Sequence, residues 1–383
     1  MHLQQKRRRR LGWTAAIVGL AASLEAGDFE TALNQVRSVG AGGQGNAPAR
    51  EAWKVLSSGS AATLPLLLKG LDGSSELAAN WIRSAVDTVV ARATQNKEPL
   101  PFADLGALLA DSSHAPKARS LAFEVLRQTH PEGAAALLPG FLNDPAPELR
   151  REAVAALLAQ AMQAKTSGKT DFAALVLQQL ISSARDADQI ESISKQLSEM
   201  GRKVDLTEVF GFLTQWKVIG PFDNAKGIGF NAVYEPEKGI KFSAEYDGKE
   251  KKAAWREFKS ADEMGKVDIN KVLGNLKGAT AYAYAEFNVE TARPVELRLG
   301  CKNGWKVWLN EKYLFGRDEY HRGMEIDQYR IPVQLNAGAN RVLVKICQDE
   351  QKEDWTVEWE FQLRFCDASG TPVRPSLLSH PKP

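Results

Sequence analysis

The chain has 383 residues, a net charge of +2 and a hydrophobic fraction of 44%, enough for two or three domains with buried cores. The positive charge is local: Lys6 and Arg7–Arg10 bring five charges and Glu25 removes one, so the chain beyond residue 26 carries −2. That near-neutral remainder offers no electrostatic footprint for nucleic acid, and the three cysteines show no metal-ligand spacing.

Residues 1–26 read as a targeting segment. The basic run is followed by Leu11 to Leu24, fourteen uncharged apolar or small residues, too short to span a bilayer comfortably and right for a secretory core. Export is expected, with the segment either cleaved near Ala22 or Ala26 or kept as an anchor. The protein would then be periplasmic or associated with the cell envelope. A cytosolic basic tail is the alternative.

Residues 27–204 are rich in Ala and Leu, whereas all seven Tyr and six of the nine Trp lie beyond residue 213. A helical first part and a β second part follow. After a short helix and the AGGQG stretch at 41–45, three units begin near Leu64, Ala103 and Ala135. Each is an apolar helix, a turn opening with Asp, and a second helix. The turn residues Asp72, Asp111 and Asp144 are spaced by 39 and 33 residues, a period of helical solenoids. In the third unit Leu149, Ala153, Leu157 and Ala161 recur every four residues as a packing stripe. This unit, DPAPELRREAV, resembles HEAT repeats, and the resemblance implies that Asp144 and Arg151 cap helices and bridge repeats. Two more helices are expected over 171–200. The TSGKT string lacks the glycine spacing of a phosphate loop.

The joining segment Asp205 to Trp216 carries Val209, Phe210, Phe212 and Leu213. Such apolar density is wrong for a flexible linker and predicts packing between the last helix, near Ile193 and Leu197, and the first strands. Residues 205–370 then alternate. Trp216 to Ile219 open a strand ended by Gly220-Pro221, and KFSAEY and AAWREF are two more. In ATAYAYAEFNV, Ala281, Ala283, Ala285 and Phe287 face one way and Tyr282 and Tyr284 the other. Val357, Trp359, Phe361, Leu363 and Phe365 form a stripe opposite Glu358, Glu360, Gln362 and Arg364. Period-two strands between Gly, Asn and Pro turns predict an antiparallel β-sandwich. The fold class expected is therefore α+β multidomain, a helical solenoid followed by a sandwich, with a Pro-rich disordered tail over 371–383. Cys301 shares the face of Val295, Leu297 and Leu299 and reads as a core thiol. Cys347 and Cys366 lie opposite the apolar stripes, where one disulfide stays open in an oxidising compartment.

YAYAEFNV, KVWLNE and LNAGANRVLVKI together resemble the galactose-binding-like jelly roll, in the form found as the sugar-binding domain of family-2 glycoside hydrolases. The whole chain also resembles bacterial proteins in which HEAT repeats precede a β domain opening with a WKxIGPFDN-type strand. The first resemblance implies that Asn310 helps shape a sugar subsite, although Glu311 stands where the family has Gly. It does not imply glycosidase activity, because those hydrolases carry their catalytic carboxylates in a separate barrel of roughly 250 residues. The fold admits a structural Ca2+, but no dense carboxylate loop marks one, and no other cofactor is expected.

HExxH, GxSxG, Walker and CxxC motifs are absent, and the five His do not pair at ligand spacing. Binding is expected, not catalysis. Trp305, Val307 and Leu309 should be core, leaving Trp308 on the opposite face beside Asn310. The following loop offers Arg317, Tyr320, His321, Arg322 and Asp327, types that suit a hydroxyl-rich ligand. Alternatively Trp308 packs under a loop that Tyr320 and His321 pin. The functional expectation is an exported binding protein, its solenoid for protein docking and its β domain for carbohydrate or another surface polymer. The alternative is an envelope scaffold in which both domains contact proteins.

Overall fold

The computed structural model describes residues 27–374 and the backbone of Ser376 and Leu377. The expected export segment 1–26 and the end of the tail lie outside the described residues. The chain forms two compact units, one up to Ala159 and one from Gln160 onward. The change from helix to strand falls between Phe210 and Gln215, and by packing the helices after Gln160 go with the sheets. Among the described residues no helix is long and apolar enough to cross a membrane.

The first unit is helical: α1 (27–37), α2 (Asn46–Ser58), α3 (Leu64–Lys69), α4 (Glu76–Asn96), α5 (Phe102–Ala110), α6 (Pro116–Thr129), α7 (Pro131–Leu137) and the start of α8 (Pro147–Thr166). Prolines occupy the first turns of α3, α6 and α7, where a missing N–H costs nothing. Leu56, Leu67, Leu68, Ile82, Val86, Val89 and Leu105 fill the core. The turn aspartates tie neighbouring helix pairs within this unit. Asp72 accepts from the Ala115 N–H at 2.6 Å and faces His114 Nδ1 at 2.7 Å. Asp144 holds Arg119 in a two-pronged ion pair, both contacts 2.7 Å, and accepts from Ala146 N–H at 2.8 Å. Arg119 Nε also donates to Leu109 O, so one buried guanidinium joins α5, α6 and the turn before α8. The arginine that completes the turn is Arg150, which is buried and donates to Asp144 O at 2.9 Å. Arg151, expected to bridge repeats, lies on the exposed side of α8, opposite the stripe of Leu149, Ala153 and Val154, and has an interaction of its own.

The second unit opens with helices α9 (Thr170–Ser183), α10 (Ala187–Glu199) and α11 (Leu206–Phe210). The strands follow: β1 (Gln215–Asp223), β2 (Glu245–Asp247), β3 (Lys252–Ala254), β4 (Arg256–Lys259), β5 (Val267–Asp268), β6 (Ala279–Val289), β7 (Arg293–Cys301), β8 (Gly304–Leu309), β9 (Lys312–Arg317), β10 (Tyr329–Leu335), β11 (Gly338–Gln348), β12 (Glu360–Cys366) and β13 (Ser376–Leu377). One antiparallel sheet runs β4-β1-β6-β11-β8-β9, with β13 also on β6; a second runs β10-β7-β12-β5; β2 and β3 form a separate ribbon. Strand β10 ends its sheet and carries Pro332 in its middle. Strand β1 does not stop at Gly220-Pro221 but continues, with a register shift, to Asp223.

The expected inward residues form the core. Ala281, Ala283, Ala285 and Phe287 meet Leu297, Leu299, Trp305, Val307, Val344, Ile346, Trp359, Phe361, Leu363 and Phe365 in one cluster. Trp216 meets Phe361 edge-on at 5.0 Å. Three expectations change. Val357 is 43% exposed, because the chain runs through a 3-10 turn at Asp354–Thr356 before β12 begins at Glu360. The polar face of β12 is not solvated: Gln362 and Arg364 are buried. The joining segment covers it. Leu213 N–H donates to Leu363 O at 2.9 Å, and the Arg364 guanidinium lies over the Phe210 and Phe212 rings at 5.2 and 5.8 Å. Gly265, at φ 68°, lets Phe212 approach; a Cβ there would meet the Phe212 side chain at 2.5 Å. The tail is ordered at its start, since Val373 is buried and donates its N–H to Phe365 O at 2.8 Å. All three cysteines are free and buried, Cys347 and Cys366 included.

Candidate functional site

The seven-stranded sheet turns its second face toward the segment 224–255, which folds over part of it. Ile219, Phe222, Ala253, Tyr282, Tyr284 and Leu343 form a second cluster there, with Tyr234, Ile240, Trp255 and Trp308 against it. The cover is held by Lys345, fully buried, whose Nζ donates to Ala232 O at 2.6 Å and Phe230 O at 3.2 Å and pairs with Glu237 at 2.9 Å. Tyr282 Oη donates to the same carboxylate. Burial pushes the Lys345 ammonium below its ordinary range, against the opposing pull of Glu237. The lysine thus gives up its water to fix the helical turn Glu235–Lys238 on the sheet.

Where the cover ends it leaves a cleft of about 580 Å3. Its floor follows from strand register. Trp308 on β8 pairs with Leu343 on β11, which pairs with Tyr284 on β6. One step along, Arg341 pairs with Glu286, and Glu311 sits at the adjoining hairpin. An apolar row therefore lies beside a charged row. Tyr284 Oη donates to Glu286 Oε2 at 3.1 Å, and Arg341 stands 3.5 Å from Glu286 and 3.7 Å from Glu311. Burial, with the adjacent Glu286 charge, pushes the Tyr284 hydroxyl up, so it stays a donor. Phe242, 40% exposed, rests on Tyr284 with ring centres 5.3 Å apart. At the other end Trp308, half-buried, meets Tyr313 at 5.6 Å. The cleft thus sets aromatic rings beside a carboxylate–guanidinium pair.

Asn310 and Glu311 form the β8–β9 turn, with φ of 49° and 68°, the left-handed pair of a type I′ hairpin. The turn forms with Glu311 at its second position. Asn310 Nδ2 donates to Asn340 Oδ1 at 3.0 Å and its Oδ1 accepts from Arg341 N–H at 2.9 Å; its work is to hold the turn against β11. Arg317 is exposed at the end of β9, its guanidinium over Phe315 at 4.8 Å. Tyr320 accepts from Asn224 Nδ2 at 3.3 Å, and His321 Nε2 meets Asp349 Oδ1 at 2.8 Å. These two pin their loop. Arg322 is exposed, 3.5 Å from Glu319. Asp327 folds onto the four-stranded sheet, 2.7 Å from Arg298 and in a two-pronged pair with Arg364 at 2.7 and 2.6 Å. Trp308 is the expected residue that lines the cleft; Phe242, Tyr284, Glu286 and Arg341 were not singled out from sequence. Among the described residues no three His, Cys, Asp or Glu side chains converge as a metal site.

No protein-family model and no curated protein sequence matches the chain. Among solved structures it shows similarity to a β-glucosidase from Kluyveromyces marxianus, with a TM-score of 0.26 and 9% identity, over 73% of this chain and 35% of that one. The chain thus spans about a third of the glucosidase's length. A second similarity is to a DNA-bound alkylpurine DNA glycosylase from Pseudomonas fluorescens, with a TM-score of 0.21 and 10% identity, over 91% and 96% of the two chains. Overlap at this level assigns neither a fold family nor an activity.

Proposed function

We propose that this is a non-catalytic, exported binding protein whose sheets form a galactose-binding-like jelly roll and whose helical unit is a HEAT-like solenoid for protein docking. Carbohydrate, as part of a surface polymer, is the ligand of the β unit, and the cleft between Trp308 and Phe242 is where it binds. The observation that carries this reading is the pair of cross-strand rows, Trp308–Leu343–Tyr284 beside Arg341–Glu286. Sugar C–H faces stack on rings while hydroxyls pair with the carboxylates and the guanidinium.

A glycan array and polysaccharide pull-downs test it. The wild type should retain at least one glycan. Trp308→Ala should weaken that binding about tenfold, the scale of one lost ring contact of up to about 1.5 kcal/mol, with circular dichroism unchanged. Retention of no glycan, or binding indifferent to Trp308→Ala, overturns the site. A stoichiometric protein partner that stays bound after glycan removal would make the chain an envelope scaffold instead.

A further inference from the structure

We infer that the cleft takes an extended saccharide of at least two rings, lying across the strands, and not a single terminal sugar. The inference rests on the carbohydrate reading above and adds the length and direction of the ligand. Trp308, Leu343 and Tyr284 lie on β8, β11 and β6, three consecutive strands in direct register. Strands are spaced about 4.8 Å apart, so Trp308 and Tyr284 are separated by roughly 10 Å. Leu343 fills the middle and is buried.

The aromatic surface is therefore double, with a gap. Trp308 offers one ring at the β8 end. Phe242, 40% exposed, packed edge-on against Tyr284 and Trp255 and with the Lys217 ammonium 4.9 Å from its ring centre, offers another at the β6 end. A ligand that reaches from Trp308 to the Tyr284–Phe242 end must cross all three strands, as two rings of a linear chain would. The polar contacts follow the same direction. Glu286 on β6 and Arg341 on β11 are themselves cross-strand partners, and Glu311 continues the row to the β8–β9 turn. A chain laid across the strands would keep one hydroxyl edge along this row for its whole length. Arg341 sits 3.5 and 3.7 Å from the two carboxylates, longer than the best charged hydrogen bonds, so these groups retain capacity for hydroxyl donors and acceptors.

Titration calorimetry with β-1,4-linked glucose, mannose and N-acetylglucosamine oligosaccharides of one, two and four rings tests the inference. For the series that binds, affinity should rise at least about tenfold from one ring to two. Phe242→Ala and Trp308→Ala should each bring the four-ring ligand down to the affinity of the one-ring ligand. Phe242 is exposed, so its variant keeps the test valid if Trp308→Ala disturbs the fold. One-ring and four-ring sugars binding equally, or Phe242→Ala leaving four-ring affinity unchanged, overturns the inference while the carbohydrate reading stands. Wild-type protein that binds only branched or single terminal-sugar glycans on the array, and no linear polysaccharide, also overturns it. Absence of all glycan binding removes both.

Discussion

Asp327→Ala should destabilise the second unit by about 3–5 kcal/mol, the cost of leaving a buried charge unpaired. Asp327 is the shared carboxylate of Arg298 and Arg364, and the side chains of all three are nearly sealed from solvent, at 8%, 6% and 2% exposure. Removing it strands two guanidiniums. Arg364 would keep Phe210 O and Arg298 would keep Glu296, which is why the loss is not larger. The pH dependence has a definite sign. Burial pushes the Asp327 carboxyl up, but Arg364 and Arg298 together outweigh burial and hold it below the ordinary range. Its stabilisation is therefore complete above about pH 4, the unfolded aspartate value, and fades as pH falls through the depressed folded value. Urea unfolding followed by Trp fluorescence, at pH 7 and at pH 3, checks both points. A loss under about 1 kcal/mol at pH 7 would show that the cluster is not holding the loop. Asp327→Asn should be milder, since the amide oxygen still accepts from one arginine.

Asp144→Ala should have a comparable effect, about 3–5 kcal/mol, on the helical unit. Its carboxylate takes both terminal nitrogens of Arg119 at 2% and 7% side-chain exposure and also accepts the Ala146 N–H at the start of α8. The substitution removes a helix cap and a buried pair together. Arg119 would retain only Leu109 O. Hydrogen exchange gives a local readout: amides of α6 should lose protection by two or more orders of magnitude, with strand amides of the second unit unchanged. Unaltered exchange in α6 would mean that apolar packing of Leu121, Ala122 and Leu126 alone holds it.

Much of this was legible in the residues. Alternation is a local property, so the inward faces of β6, β8 and β12 could be read before any partner strand was known. Asp144 was legible because Asp-Pro followed by a helix start is a local signal. Register is not local. Nothing in YAYAEF or NRVLVK says that Tyr284 will stand beside Leu343 and Leu343 beside Trp308, and the cleft floor exists only through that pairing. Arg364 looked solvated because its strand alternates cleanly; what buries it is a segment more than 150 residues earlier in the chain. Asp327 looked like a ligand contact because it sits in a polar loop, but the loop crosses to the other sheet. The tail looked disordered from its prolines, yet Val373 finds a backbone partner that composition cannot reveal.

The position of Pro332 has a consequence for self-association. Strand β10 is the outermost of its sheet, and Tyr329, Ile331 and Val333 point inward to the core. Taken alone, YRIPVQL is a β-prone segment presenting an open row of backbone groups, the kind of border on which chains template one another into aggregates. A proline midway removes a donor from that row, and Arg330 puts a charge beside it. A second copy adding a strand there would meet an interrupted ladder after two or three residues. The border is thereby closed to growth without any loss to the core behind it, and a concentrated sample of the wild type should stay unassembled along this side where Pro332→Thr would not.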